Sequence, residues 1–195
     1  MSTEQEPTSL LNETLRKMGR NLLNYQIVEK IWKAQYKVSN IETMFENGEA
    51  RIINKPVIRR NIPMGWLSEN HRKAIFSSPK EHEPIEEINH PSIKTSFRVG
   101  EGGTLSIDRK QQVNMLVKER NELVHSISEK FDHSTGVGCR EICAILDEQN
   151  IRILEEIAFL NTISSSYKET ILELQKYLNS EEFISAIENQ FLTSR

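Results

Sequence analysis

Six consecutive residues, Arg120-Asn121-Glu122-Leu123-Val124-His125, set a permanent cation, an amide and an imidazole within two helical turns of one another. The guanidinium stays charged at physiological pH and presents a planar fork of donors suited to phosphate or carboxylate. His125, with an ordinary pKa of about 6.5, is able both to take and to give a proton near neutrality. RNA cleavage needs those groups. A base removes the ribose 2′-hydroxyl proton, an acid protonates the leaving 5′-oxygen, and a cation stabilises the charged phosphorane. One imidazole cannot easily be base and acid in the same step, so such a site makes more sense as two copies facing across a dimer interface. The spacing alone is weak: 12 Arg and 5 His in 195 residues give about one Arg-to-His pair of this kind by chance. Asn directly after the Arg and His at the fifth position lowers that expectation to roughly 0.02. Taken singly, His125 reads more simply as a surface or interfacial histidine.

The element that must position these groups is a helix. Asp108 followed by Gln111 resembles a capping box and predicts that the helix opens there. Its apolar stripe is Val113, Leu116, Val117, Leu123, Val124, Ile127 and Phe131, with Arg120 in the middle. Steps of 100° put Asn121 and His125 together on one flank of that stripe. An arginine at a stripe centre must be paired, because an unpaired buried charge is destabilising by several kcal/mol. Glu29 is the one other charged residue misplaced at a stripe centre, so the expectation is that Glu29 meets Arg120. The alternative is that Arg120 lies at a helix or subunit groove and meets a ligand phosphate.

Glu29 belongs to a long amphipathic helix predicted over 9–37, where Leu11, Leu15, Met18, Leu22, Tyr25, Glu29, Trp32 and Tyr36 make one stripe. Arg20-Asn21 in this helix echoes the motif, but Tyr25 stands where its histidine would be, and the echo reads as coincidence. Residues 39–91 read as a long irregular insertion punctuated by Asn47-Gly48 and several prolines, with a short helix over Trp66–Phe76. His71 and His82 within it read as exposed loop side chains. The pattern predicts at most one small β-hairpin, Lys94–Val99 turning through Gly100–Gly103 onto Thr104–Ile107. Ser134, Thr135 and Gly136 break the motif helix. A second long helix follows, with Ile142, Ile145, Leu146, Gln149, Ile153, Ile157, Leu160 and Ile163 on its core face and a bend expected at Ser164–Ser166. Ser180 is placed to cap a last helix, Glu181–Leu192, in the C-terminal segment 179–195.

Composition fits one all-α domain over 1–195, an antiparallel helical bundle: 37% apolar, 27% charged and sparse Gly and Pro. The start has no basic or apolar leader, and no run approaches the roughly 20 apolar residues of a membrane span, so the expected setting is cytoplasmic. Cys139 and Cys143, one turn apart with no second pair, indicate neither a disulfide framework nor a zinc site. No P-loop, His-Glu-x-x-His run or serine elbow anchors another enzyme class, and no cofactor is implied. Charge is uneven. Residues 51–73 hold Arg51, Lys55, Arg59, Arg60, Arg72 and Lys73 against Glu69, whereas 141–190 hold ten acids against three bases. The basic stretch reads as an ordinary solvated loop or as a surface that attracts an RNA backbone.

Arg120-Asn121-Glu122-Leu123-Val124-His125 resembles the signature of HEPN-domain ribonucleases, in which Arg is followed after four to six residues by His, commonly with a polar residue next to the Arg. The resemblance extends to Met18-Gly19-Arg20-Asn21 through Gln26 and Glu29, to Val117-Lys118-Glu119, and to Leu146-Asp147-Glu148-Gln149. It covers 10–38 and 92–175 and leaves the 39–91 insertion unmatched. It implies a HEPN-like helical bundle, a homodimer with apposed motifs, and metal-independent RNA cleavage leaving a 2′,3′-cyclic phosphate, often in toxins or phage defence. Arg120 would stabilise the transition state, His125 transfer protons, Asn121 orient phosphate or imidazole, and Glu29 support Arg120. An antitoxin or regulatory protein is a further implied partner. The tyrosine that many such toxins carry two residues after the His is Ile127 here, which departs from control by adenylylation. The family also includes non-catalytic modules that bind RNA, nucleotide or a protein partner.

Overall fold

The computed structural model describes residues 7–46, 49–59, 61–76, 92–99, 104–130, 132, 134–183 and 185. Three long helices dominate: α1 (Pro7–Val38), α3 (Thr104–His125) and α5 (Gly136–Leu178). Between α1 and α3 lie β1 (Asn40–Glu46), β2 (Glu49–Asn54), α2 (Met64–Phe76) and β3 (Ser92–Ser96); a short α4 (Ile127–Lys130) follows α3. The protein is thus mainly α-helical, with one small antiparallel sheet in the order β2-β1-β3. The chain divides into two compact units, 1–160 and 161–195.

In the first unit the apolar stripes meet as their spacing dictates. Tyr25, Val28 and Trp32 of α1 join Val113, Leu116 and Leu123 of α3, Leu146, Ile153 and Leu160 of α5, and Met64 and Leu67 of α2 in one buried cluster. Helix directions follow from the polar contacts. Asn21 meets Leu146 and Gln35 meets Leu160, so α1 and α5 run parallel. Arg152 meets Glu119 and Glu156 meets Arg109, so α3 runs antiparallel to α5. Asn21, fully buried, donates to the Leu146 carbonyl at 2.8 Å, while Arg20 and Lys17 reach Asp147. The Arg20-Asn21 pair, whose echo of the motif read as coincidence, joins two helices, and Lys17, with Arg20 beside it, holds the Asp147 carboxyl below its usual range.

The insertion holds more regular structure than expected. β1 pairs with β2 on one side and β3 on the other, Thr43 opposite both Ile52 and Ile93. The expected hairpin is corrected: Ser92–Ser96 pairs with Asn40–Met44, and Thr104–Ile107 is the first turn of α3. Asp108 therefore lies inside that helix and does not cap it. The backbone amide of Phe97 donates to Ser39 and that of Val99 to Ile75, tying the strand exit to the ends of α1 and α2. Helix α5 runs unbroken through Ser164–Ser166. Its start is set by Thr135, whose Oγ1 accepts from Gly138 N at 3.1 Å. A side chain at Gly138 would collide with the Asp132 carbonyl. In the second unit, Ser180 Oγ accepts from Phe183 N, and the Tyr177 and Phe183 rings sit 5.3 Å apart. Of the expected last helix, 184 and 186–192 lie outside the described residues.

The least expected feature is an ion pair inside the first unit. Arg109 Nη2 donates to both Glu156 carboxylate oxygens at 2.6 Å, with both side chains almost fully buried. The guanidinium stacks over Phe159 at 4.0 Å, and Trp32 Nε1 donates to the same carboxylate. His71 is also buried, against the expectation of an exposed loop residue, because α2 turns it inward to Gln35 at 2.6 Å and onto Trp32. His82 lies outside the described residues.

Glu156→Gln should cost about 3–5 kcal/mol of unfolding free energy, because it removes the charge that Arg109 needs in a dry site. Urea denaturation checks this; a change within the noise would mean the guanidinium is solvated. Burial, and next the Arg109 charge, push the His71 pKa down to about 3. With the folded value below the unfolded one, His71 contributes its full stability above pH about 6.5 and loses it as pH falls from there toward 3. Stability should fall by up to about 1.4 kcal/mol per pH unit in that window, and His71→Gln should flatten the slope.

Candidate functional site

The motif occupies the last two turns of α3, and the residue just before it sets the helix's rotation. Glu119 accepts from Tyr25 Oη of α1 at 3.3 Å and from Arg152 of α5 at 2.5 Å, so one carboxylate clamps three helices. Burial, with Glu119 beside it, raises the Tyr25 phenol well above its usual range and keeps it a donor. With Glu119 turned inward, the next residue faces α1. Arg120 Nη2 lies 3.8 Å from Glu29 Oε1, so the structure brings together the two charges that stripe geometry paired. The contact is not deeply buried: the Arg120 side chain keeps 31% of its exposure and Glu29 19%, and Lys33 lies 3.8 Å from the same carboxylate. Arg120 Nη1 also donates to Asn121 Oδ1 at 3.2 Å.

Asn121 and His125 face outward on the flank that the 100° steps indicate. Both are exposed and line one open cleft of 480 Å³, with Lys118 and Glu122 of α3 and Ser126 just past its end beside them and Gly65 and Ser68 of α2 opposite. The helix stops there, Ser126 N reaching the Glu122 carbonyl before the turn into α4, so His125 sits at a helix end rather than on a covered face. Arg120 does not line this cleft. Among the described residues His125 is the histidine that reaches solvent, His71 being buried. The cleft supplies one imidazole, the two amides of Asn114 and Asn121 and one ammonium, enough to hold a phosphate and move one proton. Val124, expected in the stripe, is 44% exposed beside them.

The six basic residues of 51–73 separate into groups. Arg51, Lys55 and Arg59 are exposed along β2 and the segment after it. Arg72 and Lys73 are on α2, each within 3.3 Å of Glu69, whose carboxyl they lower. Arg60 lies outside the described residues. Among the described residues no group of three or more His, Cys, Asp or Glu stands together as a metal site, and Cys139 and Cys143 are thiols not joined in a disulfide.

Sequence reasoning missed the Arg109–Glu156 pair and the 390 Å³ cleft beside it, lined by Arg109, Gln112, Met115, Arg152 and Phe159. A signal was present: Arg109 lies seven residues before Leu116 and so on the same helical face. Because Glu29 and Arg120 are 3.8 Å apart and partly solvated, Glu29→Gln should lower stability by only about 0.2–1 kcal/mol in thermal unfolding. A loss of several kcal/mol would mean that Arg120 is more deeply committed to the core.

Comparisons with protein-family models, with curated proteins and with solved structures return no match to this chain. The resemblance to HEPN proteins therefore rests on the residues of the motif and its flanks alone.

Proposed function

We propose that the protein is a metal-independent endoribonuclease of HEPN type, acting as a homodimer at a composite site built from Arg120, Asn121 and His125 of two subunits. The observation that carries the proposal is the shared exposure of Asn121 and His125 on one open cleft next to Lys118. One such cleft holds one proton-transfer group, and a second copy brought against it supplies the other. In the reaction, one His125 takes the 2′-hydroxyl proton while its partner protonates the 5′-oxygen, leaving a 2′,3′-cyclic phosphate. Asn121 orients the phosphate, and Arg120, drawn from its long contact with Glu29, stabilises the phosphorane. Arg51, Lys55 and Arg59 are exposed cations suited to an RNA backbone, and Arg60, Arg72 and Lys73 complete the basic stretch considered for that role. Action as a toxin or in phage defence, in the cytoplasm and under control of an antitoxin or regulatory protein, belongs to the same proposal. Among the described residues no helix is long and apolar enough to cross a membrane.

A second reading, a non-catalytic HEPN-like module that binds RNA, nucleotide or a protein partner, is favoured by one observation. Arg120 points to Glu29 and Asn121 and does not line the cleft.

The deciding experiment incubates purified wild-type, His125→Ala and Arg120→Ala protein with total cellular RNA in EDTA. The expected result is cleavage with cyclic-phosphate ends, reduced about 10²–10⁴-fold by His125→Ala and about 10²–10³-fold by Arg120→Ala. All three proteins should sediment as dimers. Cleavage that survives His125→Ala, or a wild-type protein that is monomeric at assay concentration, removes the composite site.

A further inference from the structure

The exposed aromatic residue of α2 points to the form of nucleic acid that this surface takes. Helix α2 turns Met64, Leu67, His71, Ile75 and Phe76 inward, yet leaves Trp66 44% exposed. Trp66 follows Gly65, which lines the His125 cleft. On its other side, the indole meets Tyr36 edge-on, ring centroids 6.1 Å apart and planes at 84°. An edge-on neighbour fixes the plane of a ring without stacking on it. Tyr36 in turn lines a second, smaller cleft of 160 Å³ together with Asn40, Asn54, Lys55 and Lys94. Chain adjacency along α2 links the His125 cleft to the indole, and ring contact links the indole to the Tyr36 cleft, while Trp66 itself lines neither. These links trace a path from His125 to the sheet.

We propose that this path is a single-strand RNA track, with an unpaired base stacked on Trp66, phosphates drawn by Lys118 at one end and Lys55 and Lys94 at the other, and His125 at its start. The inference rests on the RNA reading above and adds the strandedness of the substrate and the residues that select it. Stacking on an exposed indole needs a base already out of its helix, and duplex RNA keeps its bases stacked and its major groove too narrow for side chains. Charge sets the strength. Glu122 stands in the first cleft and Glu42 in the second, so the lysines act against two carboxylates and stacking carries much of the affinity. The sheet thereby acquires a role, since β1 and β3 hold Asn40 and Lys94 beside Tyr36 at the end of α1.

The test uses full-length His125→Ala protein, in which cleavage is strongly reduced, with a short unstructured oligoribonucleotide and a duplex of equal length, followed by fluorescence anisotropy and tryptophan emission. The single strand should bind more tightly than the duplex and quench Trp66. Adding Trp66→Ala should weaken binding about five- to hundredfold, with Trp66→Tyr intermediate, at unchanged circular dichroism. Adding Lys55→Glu and Lys94→Glu should lower the slope of log affinity against log salt by about 1.4. Equal affinity for the duplex, or full affinity in folded Trp66→Ala, overturns the track. Cleavage of RNA by Trp66→Ala carrying an intact His125 would then leave the nuclease reading standing, so the two failures are told apart.

Discussion

A guanidinium and a carboxylate sealed together between α3 and α5 constrain the rest of the first unit. Arg109 and Glu156 lie between Trp32, Phe76 and Phe159, where neither charge could stay without the other. Sliding α3 by one turn would move the guanidinium away from its carboxylate and leave both in apolar surroundings. The pair therefore fixes the register of α3, and through Trp32, Gln35 and His71 it also fixes how α2 lies on α1. Three turns further along α3, that register delivers Glu119 to Tyr25 and Arg152. Once Glu119 points inward, Arg120 faces Glu29, and Asn121 and His125 face water. The orientation of the candidate site is thus a consequence of an ion pair at the other end of the same helix.

Much of this was legible because it is local and periodic. Tyr25, Trp32, Leu116, Leu123, Leu146, Ile153 and Leu160 fall at helical spacing and are buried where that spacing says. The Glu29–Arg120 contact was legible for a related reason, two charges each breaking an apolar stripe. What was hidden is nonlocal. β1 finds β3 across some fifty residues, and nothing in either segment names its partner. Glu156 sat in an acidic region that resembles an outer helix face, and Arg109 in a turn taken for a helix start. His71 looked solvated because prolines surround its helix, although Ser68, His71, Ile75 and Phe76 recur at the helical spacing of an inward face.

The position of Arg120 bears directly on how the motif is read. A guanidinium buried and tightly paired would belong to the core, and the site would lack its cation. At 3.8 Å from Glu29 and about a third exposed, the side chain is instead held loosely, in a geometry where an ion pair contributes little. In the proposed reaction, breaking it is therefore cheap compared with what a phosphorane would offer, because charge-assisted contact to a phosphate is strengthened where a second protein surface excludes water. In the proposed reaction Glu29 would serve as a resting partner for the cation, and Asn121, within 3.2 Å of the same guanidinium, joins it to the residues that line the cleft. The exposed Val124 between them supplies an apolar contact that a second copy could cover. In the proposed dimer, a loosely held arginine, an exposed imidazole and an uncovered valine on one helix end are the groups a second copy would cover.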